Sequence, residues 1–303
     1  MNYAQLLIPD FSLILLGYLL CRFTSLNRTV WGPLEGLVYY FLFPVLLFHS
    51  IIKTPIKIIS ASSLMLSGMS LGLVAIGLAY SIAKLPFVNR FFTSSEHASS
   101  CQIAFRFNSF IGLAITDRLL GPTGVQMMAV IIGVCVPMFN IAAVWPMARH
   151  SNKPIWGELI RNPLILATIC GLSANLLHIR LAVWLDPTFS RIGAASIALG
   201  LMAAGAGLQL KALNQAKVLS VALLSIKHFM LPIVAVVIAQ FFELNLAQTT
   251  TLLAFSALPT ASSSYVLAAK MGYDATIVAG MVTLSTLLGM VSLTFALGFL
   301  LPL

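Results

Sequence analysis

The sequence predicts an all-α integral membrane protein: ten transmembrane helices in a five-plus-five inverted-topology repeat, with the fourth and ninth helices broken. Three observations carry this. The first is composition: 59% of the 303 residues are hydrophobic and 8% are charged, where a soluble domain carries about 25% charged residues. A soluble fold of this length could not keep so much apolar side chain away from water. The second is a series of long uncharged runs. The third is a set of matching punctuation marks in the two halves of the chain.

A helix needs about 20 apolar residues to cross the hydrocarbon layer. Residues 64–83, 125–148, 247–269 and 275–303 are uncharged runs of at least that length, and 192–210 comes close. They are apolar on all sides, unlike the alternating strands of a membrane barrel. Ten spans follow: 4–21, 34–52, 64–83, 98–118, 125–148, 160–177, 189–210, 218–242, 247–270 and 275–301. The longest polar link, 149–161, is expected to be a cytoplasmic linker between a first repeat (1–148) and a second (162–303).

Orientation follows from Lys and Arg. Loops after odd-numbered spans hold ten of them and loops after even-numbered spans five, so the odd set is expected to be cytoplasmic. Both termini then lie on the non-cytoplasmic side of a bacterial-type inner membrane. Met1–Asp10 lacks a basic leader, so the first span is expected to be its own insertion signal. The net charge of +9 is spread between the spans and not blocked into a phosphate-tracking patch, which argues against nucleic acid. The four cysteines form no CxxC pair and the five histidines no ligand spacing, so neither a metal nor a cofactor is expected. With no extramembrane domain, and no HExxH, GxSxG or paired aspartates, an enzyme is not expected.

The halves match at several points. Pro9 and Gly17 correspond to Pro163 and Gly171, displaced by 154 residues; Gly121 corresponds to Gly272, displaced by 151. An odd number of spans per half makes the second copy enter the membrane upside down, a signature of secondary transporters.

In such proteins corresponding broken helices point to the binding site. The fourth span places Arg106, Asn108, Ser109 and Gly112 around its middle, and the ninth places Pro259, Thr260, Ser262, Ser263 and Ser264 there. Asn108 and Pro259 are 151 apart, in step with the repeat. Proline removes a helix hydrogen bond, and freed backbone groups in a membrane must line protein or a wet cavity. Half-helix N-termini meeting at the midplane would suit a carboxylate. Packing kinks are the plainer account of each helix taken singly. Arg106 could bind an anion, or snorkel or meet Asp117 instead. Lys227 and His228 fall in the middle of the eighth span, about 100° apart, so one could line the path while the other packs. Asp10 and the other acids read as lying toward span ends or in loops, which leaves the buried balance positive.

At "NSFIGLAI", "RNPLILATICGL" and "ALPTASSSYVLAAKMGYDATIVAGMVTLSTLLG" the chain resembles the auxin efflux carrier family, whose members include bacterial malonate and malate permeases and the plant PIN exporters. The resemblance implies a fold shared with bile-acid symporters, with scaffold and transport subdomains moving elevator-fashion. It also implies a homodimer through the scaffold. On the family pattern Asn108 matches the crossover asparagine and Pro259 the crossover proline. Gly112-Leu113-Ala114 lacks the proline often found there, and residues 64–83 lack the acid of the support site in some plant relatives. The expected activity is alternating-access transport of a small mono- or dicarboxylate. The competing readings are a sodium-coupled symporter of the bile-acid type, an intramembrane enzyme and a channel.

Overall fold

The computed structural model describes residues 3–53, 58–86, 88–148, 163–208, 217–261 and 263–301. The linker 149–161 therefore lies outside the described residues, as does Ser262. The described residues are mainly helical, and none of them forms a strand. Six helical stretches among them are long and apolar enough to cross a membrane. Leucine, phenylalanine and tryptophan stand exposed on their outer faces, among them Phe241, Phe299 and Trp184. Such side chains on so apolar a protein belong against lipid tails.

Helix α1 is Tyr3–Phe23. Helix α2 starts at Arg28, capped by the Asn27 side chain, and runs through a π-turn at Val38–Leu42 to Lys53. Helix α3 is Ile58–Ser81. Helix α4, Ser94–Ser100, is short and opens with a capping box of Thr93 and Glu96. Helix α5 spans Ser109–Ala148. Forty helical residues would measure about 60 Å, twice the hydrocarbon thickness, and Gly121 resolves this by leaving the helix at φ 62°, ψ −149°. Only glycine adopts such angles without strain. Gly272 plays the same part before the last helix, at φ 82°.

The second half contains α6 (Pro163–Leu176), α7 (Asp186–Ala206) and α8. Helix α8 starts at Lys217, passes a π-turn at Ile226–Met230 and ends at Phe241. Then come α9 (Leu246–Ala257), α10 (Ser263–Lys270) and α11, which covers Ala275–Phe295 and ends in a π-turn through Leu300.

The helices pack as two groups. In one, α1 lies along α7, and α2 lies along α6 and α7. In the other, α3 packs on α5, and α8 on α3 and α9, while α9 reaches α5 and α11. The first group is held closely by small residues. A Cβ on Gly17 would sit 1.9 Å from the Met202 carbonyl oxygen, and one on Gly205 1.7 Å from that of Ile14. Small residues at such crossings let membrane helices gain dispersion contacts that lipid cannot match. His49 of α2 also meets Asp186 of α7 at 2.8 Å.

The groups meet along α5, which packs against α1, α2, α6 and α7, and three of the contacts between them are specific. Asp10 of α1 meets Arg118 of α5 at 2.9 Å, Arg28 donates to Tyr265 of α10 at 3.3 Å, and the Phe43 and Phe110 rings lie 4.6 Å apart. Asp10, read as lying toward a span end, has a partner across the fold. It is 4% exposed within α1, kept there by the Arg118 guanidinium, because a carboxylate so deep needs a charged partner.

The crowding at Gly205 can be measured. Gly205→Ala is expected to lower the Tm of purified protein by about 3–10 °C, through overpacking at the α1–α7 contact. Gly77→Ala, where nothing lies within 4 Å, should leave it unchanged or slightly raised.

Candidate substrate site at two crossed helix breaks

The second break follows from its own sequence. A residue before proline is driven out of the helical region, and Leu258 is extended, at φ −59° and ψ 140°. Helix α9 therefore stops at Ala257, and the chain resumes as α10 at Ser263. Gly289 of α11 makes room for the proline; its own Cβ would lie 3.0 Å from the Pro259 ring.

The first break contains no proline and is made differently. Regular helix ends at Ile103 and resumes at Ser109. Phe105 and Phe107 turn into an aromatic cluster, Phe105 against Phe139 and Phe107 against both Phe139 and Phe255. The amides of Phe105 and Arg106 still donate to the Gln102 carbonyl, at 3.3 and 2.9 Å, so the chain leaves its helical turn only after Arg106. Asn108 then starts α5. Its Oδ1 accepts from the amides of Phe110 (3.0 Å) and Ile111 (3.3 Å), a side-chain cap.

The two breaks touch through the backbone: the Asn108 amide donates to the Pro259 carbonyl at 2.7 Å. A second link runs from the Thr260 hydroxyl to the Ile103 carbonyl at 2.8 Å. Each break thus supplies partners for groups that the other has freed.

Arg106 sits at the centre of the polar side. Its guanidinium donates to Gln102 Oε1 (3.0 Å), Ser263 Oγ (3.1 Å) and Asn140 Oδ1 (3.4 Å). All three acceptors are neutral, and among the described residues no carboxylate pairs with it. Gln102 in turn donates to the Ser264 carbonyl at 3.1 Å. The Ser264 hydroxyl is buried and has no hydrogen-bond partner among the described residues.

Behind the crossing, the Thr260 amide donates to Ser285 Oγ at 2.9 Å, and Ser285 meets His228 Nε2 at 2.9 Å. His228 Nδ1 meets Ser292 Oγ at 2.8 Å. Both serines lie on one face of α11, seven residues apart.

Of the residues singled out in the sequence, Arg106, Asn108, Pro259, Thr260, Ser263, Ser264 and His228 are linked around the two breaks. Ser109 is half-buried at the start of α5. Lys227 is buried, but it lies toward Cys135 of α5 and joins the network by no hydrogen bond among the described residues. The π-turn that contains Lys227 and His228 sends these neighbours to different helices. Of the alternatives weighed for Arg106, a pairing with Asp117 is not seen; its hydrogen bonds go to Gln102, Asn140 and Ser263. Gln102, Asn140, Ser285 and Ser292 were not anticipated. Only the last two left a trace, a seven-residue spacing that puts both hydroxyls on one helix face.

The comparisons with known proteins agree in kind. Residues 145–297 match the model of a family described as "Membrane transport protein". A protein of Rhizobium meliloti (strain 1021) named "Putative malonate transporter" is 23% identical over 303 aligned positions, covering 95% of this chain and 93% of the relative.

The cap gives a stability prediction. Asn108→Ala should cost about 1 kcal/mol, read as a lower Tm and faster amide exchange at residues 109–112. Asn108→Ser, also a strong cap residue, should recover most of the loss.

Proposed function

We propose, since the chain belongs to the auxin efflux carrier-like family of membrane transport proteins, that it is a secondary transporter moving a small carboxylate, of the malonate type, through the crossing of residues 104–108 and 258–262. The observation that carries this reading is the half-buried Arg106 guanidinium, held by Gln102, Asn140 and Ser263 and offered no counter-charge among the described residues. A cation partly withdrawn from water among neutral dipoles gains when an anion joins it. A carboxylate matches a guanidinium fork geometrically as well as electrically. The Ser264 hydroxyl, buried and without a partner among the described residues, adds a donor, as does Ser109 at the start of α5; Ser262 belongs to the same proposal by its place in the sequence. Asn108 contributes through its amide side, since its Oδ1 is committed to the cap.

The architecture proposed with this function is ten spans in two inverted five-helix repeats, 1–148 and 162–303, joined by a cytoplasmic linker. The correspondence of Gly121 with Gly272, both at positive φ, supports it. So does the pairing of α1 with α7 and of α6 with α2, which exchange under such a symmetry. The first group of helices would then be the scaffold, through which two copies could pair, and the second would carry the site across in an elevator motion. The positive-inside count supports an inner-membrane location with both termini outside.

Uptake of labelled malonate into proteoliposomes tests the substrate reading. Arg106→Gln should cut uptake at least about tenfold, the effect of losing one charge-assisted pair. Arg106→Lys should retain an intermediate rate, because it keeps the charge and loses the fork. Undiminished uptake by a folded Arg106→Gln protein would remove Arg106 from the site.

A further inference from the structure

A proline in the middle of a membrane helix leaves two kinds of orphan, carbonyls before the break and amides after it. In the second crossover helix one of each is accounted for by side chains from outside. The Ala257 carbonyl, at the last residue of α9, accepts from the Ser292 hydroxyl at 2.9 Å. The Thr260 amide, beyond Pro259, donates to the Ser285 hydroxyl at 2.9 Å. Both serines belong to α11, and one imidazole from α8 joins them: His228 reaches Ser292 through Nδ1 and Ser285 through Nε2. The ring is buried, and its hydrogen bonds among the described residues go to those two hydroxyls alone.

Proton counting fixes most of the links, and acceptor strength the last. A hydroxyl has one proton to give. Ser292 gives its proton to a carbonyl, that of Ala257 or of Gly289, and carbonyls cannot donate. Ser292 must therefore accept from His228, which puts a proton on Nδ1. Thr260 spends its hydroxyl proton on the Ile103 carbonyl. Ser285 accepts the Thr260 amide and has one proton for two acceptors, the Thr260 hydroxyl at 3.1 Å and His228 Nε2 at 2.9 Å; the imidazole nitrogen is the stronger base and the nearer, and takes it. The neutral Nε2–H tautomer is excluded because Nδ1 would then face Ser292 with no proton between them. A doubly protonated ring would be a buried cation whose hydrogen-bond partners are two neutral hydroxyls. What remains is a neutral ring with its proton on Nδ1.

We propose that His228 is a positioning residue of the transport site: a neutral imidazole, protonated on Nδ1, that bridges Ser292 and Ser285 and so fixes both ends of the break at Leu258–Pro259. The proposal rests on reading that break as the substrate site. Its consequence reaches the first crossover helix, because the Pro259 carbonyl receives the Asn108 amide and the Thr260 hydroxyl holds Ile103. His228 touches no reacting or transported atom. It sets the spacing between the two crossovers, and through them the seat of Arg106. A purely space-filling histidine would require neither a particular tautomer nor coupling to Ser285.

Two readouts separate these cases. Protein labelled with 15N-histidine, in lipid at pH 7.5, should give for His228 one protonated nitrogen and one bare nitrogen, with the proton on Nδ1. Ser285→Ala, which removes only a hydroxyl, should move the bare-nitrogen signal and leave the protonated one in place. A proton on Nε2, alone or with Nδ1, or a bare-nitrogen signal indifferent to Ser285→Ala, overturns the proposal. In malonate uptake, His228→Gln and Ser285→Ala should each raise KM by about tenfold, and the double variant should be no worse than the weaker single. Losses that multiply to about a hundredfold would show that the two residues act separately. If the wild-type protein carries no malonate, the substrate reading falls, and the nitrogen spectrum still decides the role of His228.

Discussion

The hydrogen bond from the Asn108 amide to the Pro259 carbonyl is the contact on which the arrangement depends. Inside a bilayer an interrupted helix is tolerated only where its freed backbone groups find partners in the protein or in a wet cavity. Here two interruptions meet, and each becomes part of the other's solution. The Thr260–Ile103 link repeats the logic a few residues away. Separating the breaks would strand donors and acceptors in both helices together. The crossing is therefore not two kinks that happen to lie close. It is a single structural unit drawn from both halves of the chain.

Around this unit polar chemistry is sorted by side. On one side the cation Arg106 is fixed by carboxamide and hydroxyl oxygens. On the other, neutral hydroxyls and one imidazole complete the backbone. The acids of the interior, where they occur, are already matched elsewhere, as Asp10 is by Arg118. That distribution leaves Arg106 without a carboxylate partner among the described residues.

Much of this was legible in the sequence wherever the cause is local. Proline at 259 forces Leu258 out of the helix whatever surrounds it, and Gly121 and Gly272 mark turns that other residues would adopt only under strain. The alternation Phe105-Arg106-Phe107 also lay in plain view, although its meaning depended on Phe139 and Phe255 being present to receive the rings. What escaped was long-range or competitive. Gln102, Asn140, Ser285 and Ser292 are ordinary polar residues until folding brings them to Arg106 and Thr260. Asn108 read as a group facing a ligand, but local geometry gives its oxygen to the cap. The partner of Asp10 escaped because sequence distance from the terminus says nothing of a residue 108 positions away.

The two breaks are built by unlike means. Proline fixes the second break covalently. The first has no such enforcement and relies on Phe105 and Phe107 being held in the aromatic cluster. Phe139 of α5 and Phe255 of α9 belong to that same cluster, their rings stacked 6.5 Å apart. The helix that carries the proline break therefore also helps to hold the other one open. Neither break can relax toward a straight helix without disturbing the cluster, the backbone link or the Ser285–His228 bridge. An interior packed this closely resists gradual deformation. The two breaks are thereby coupled, since the aromatic cluster and the backbone link each join elements that carry both of them.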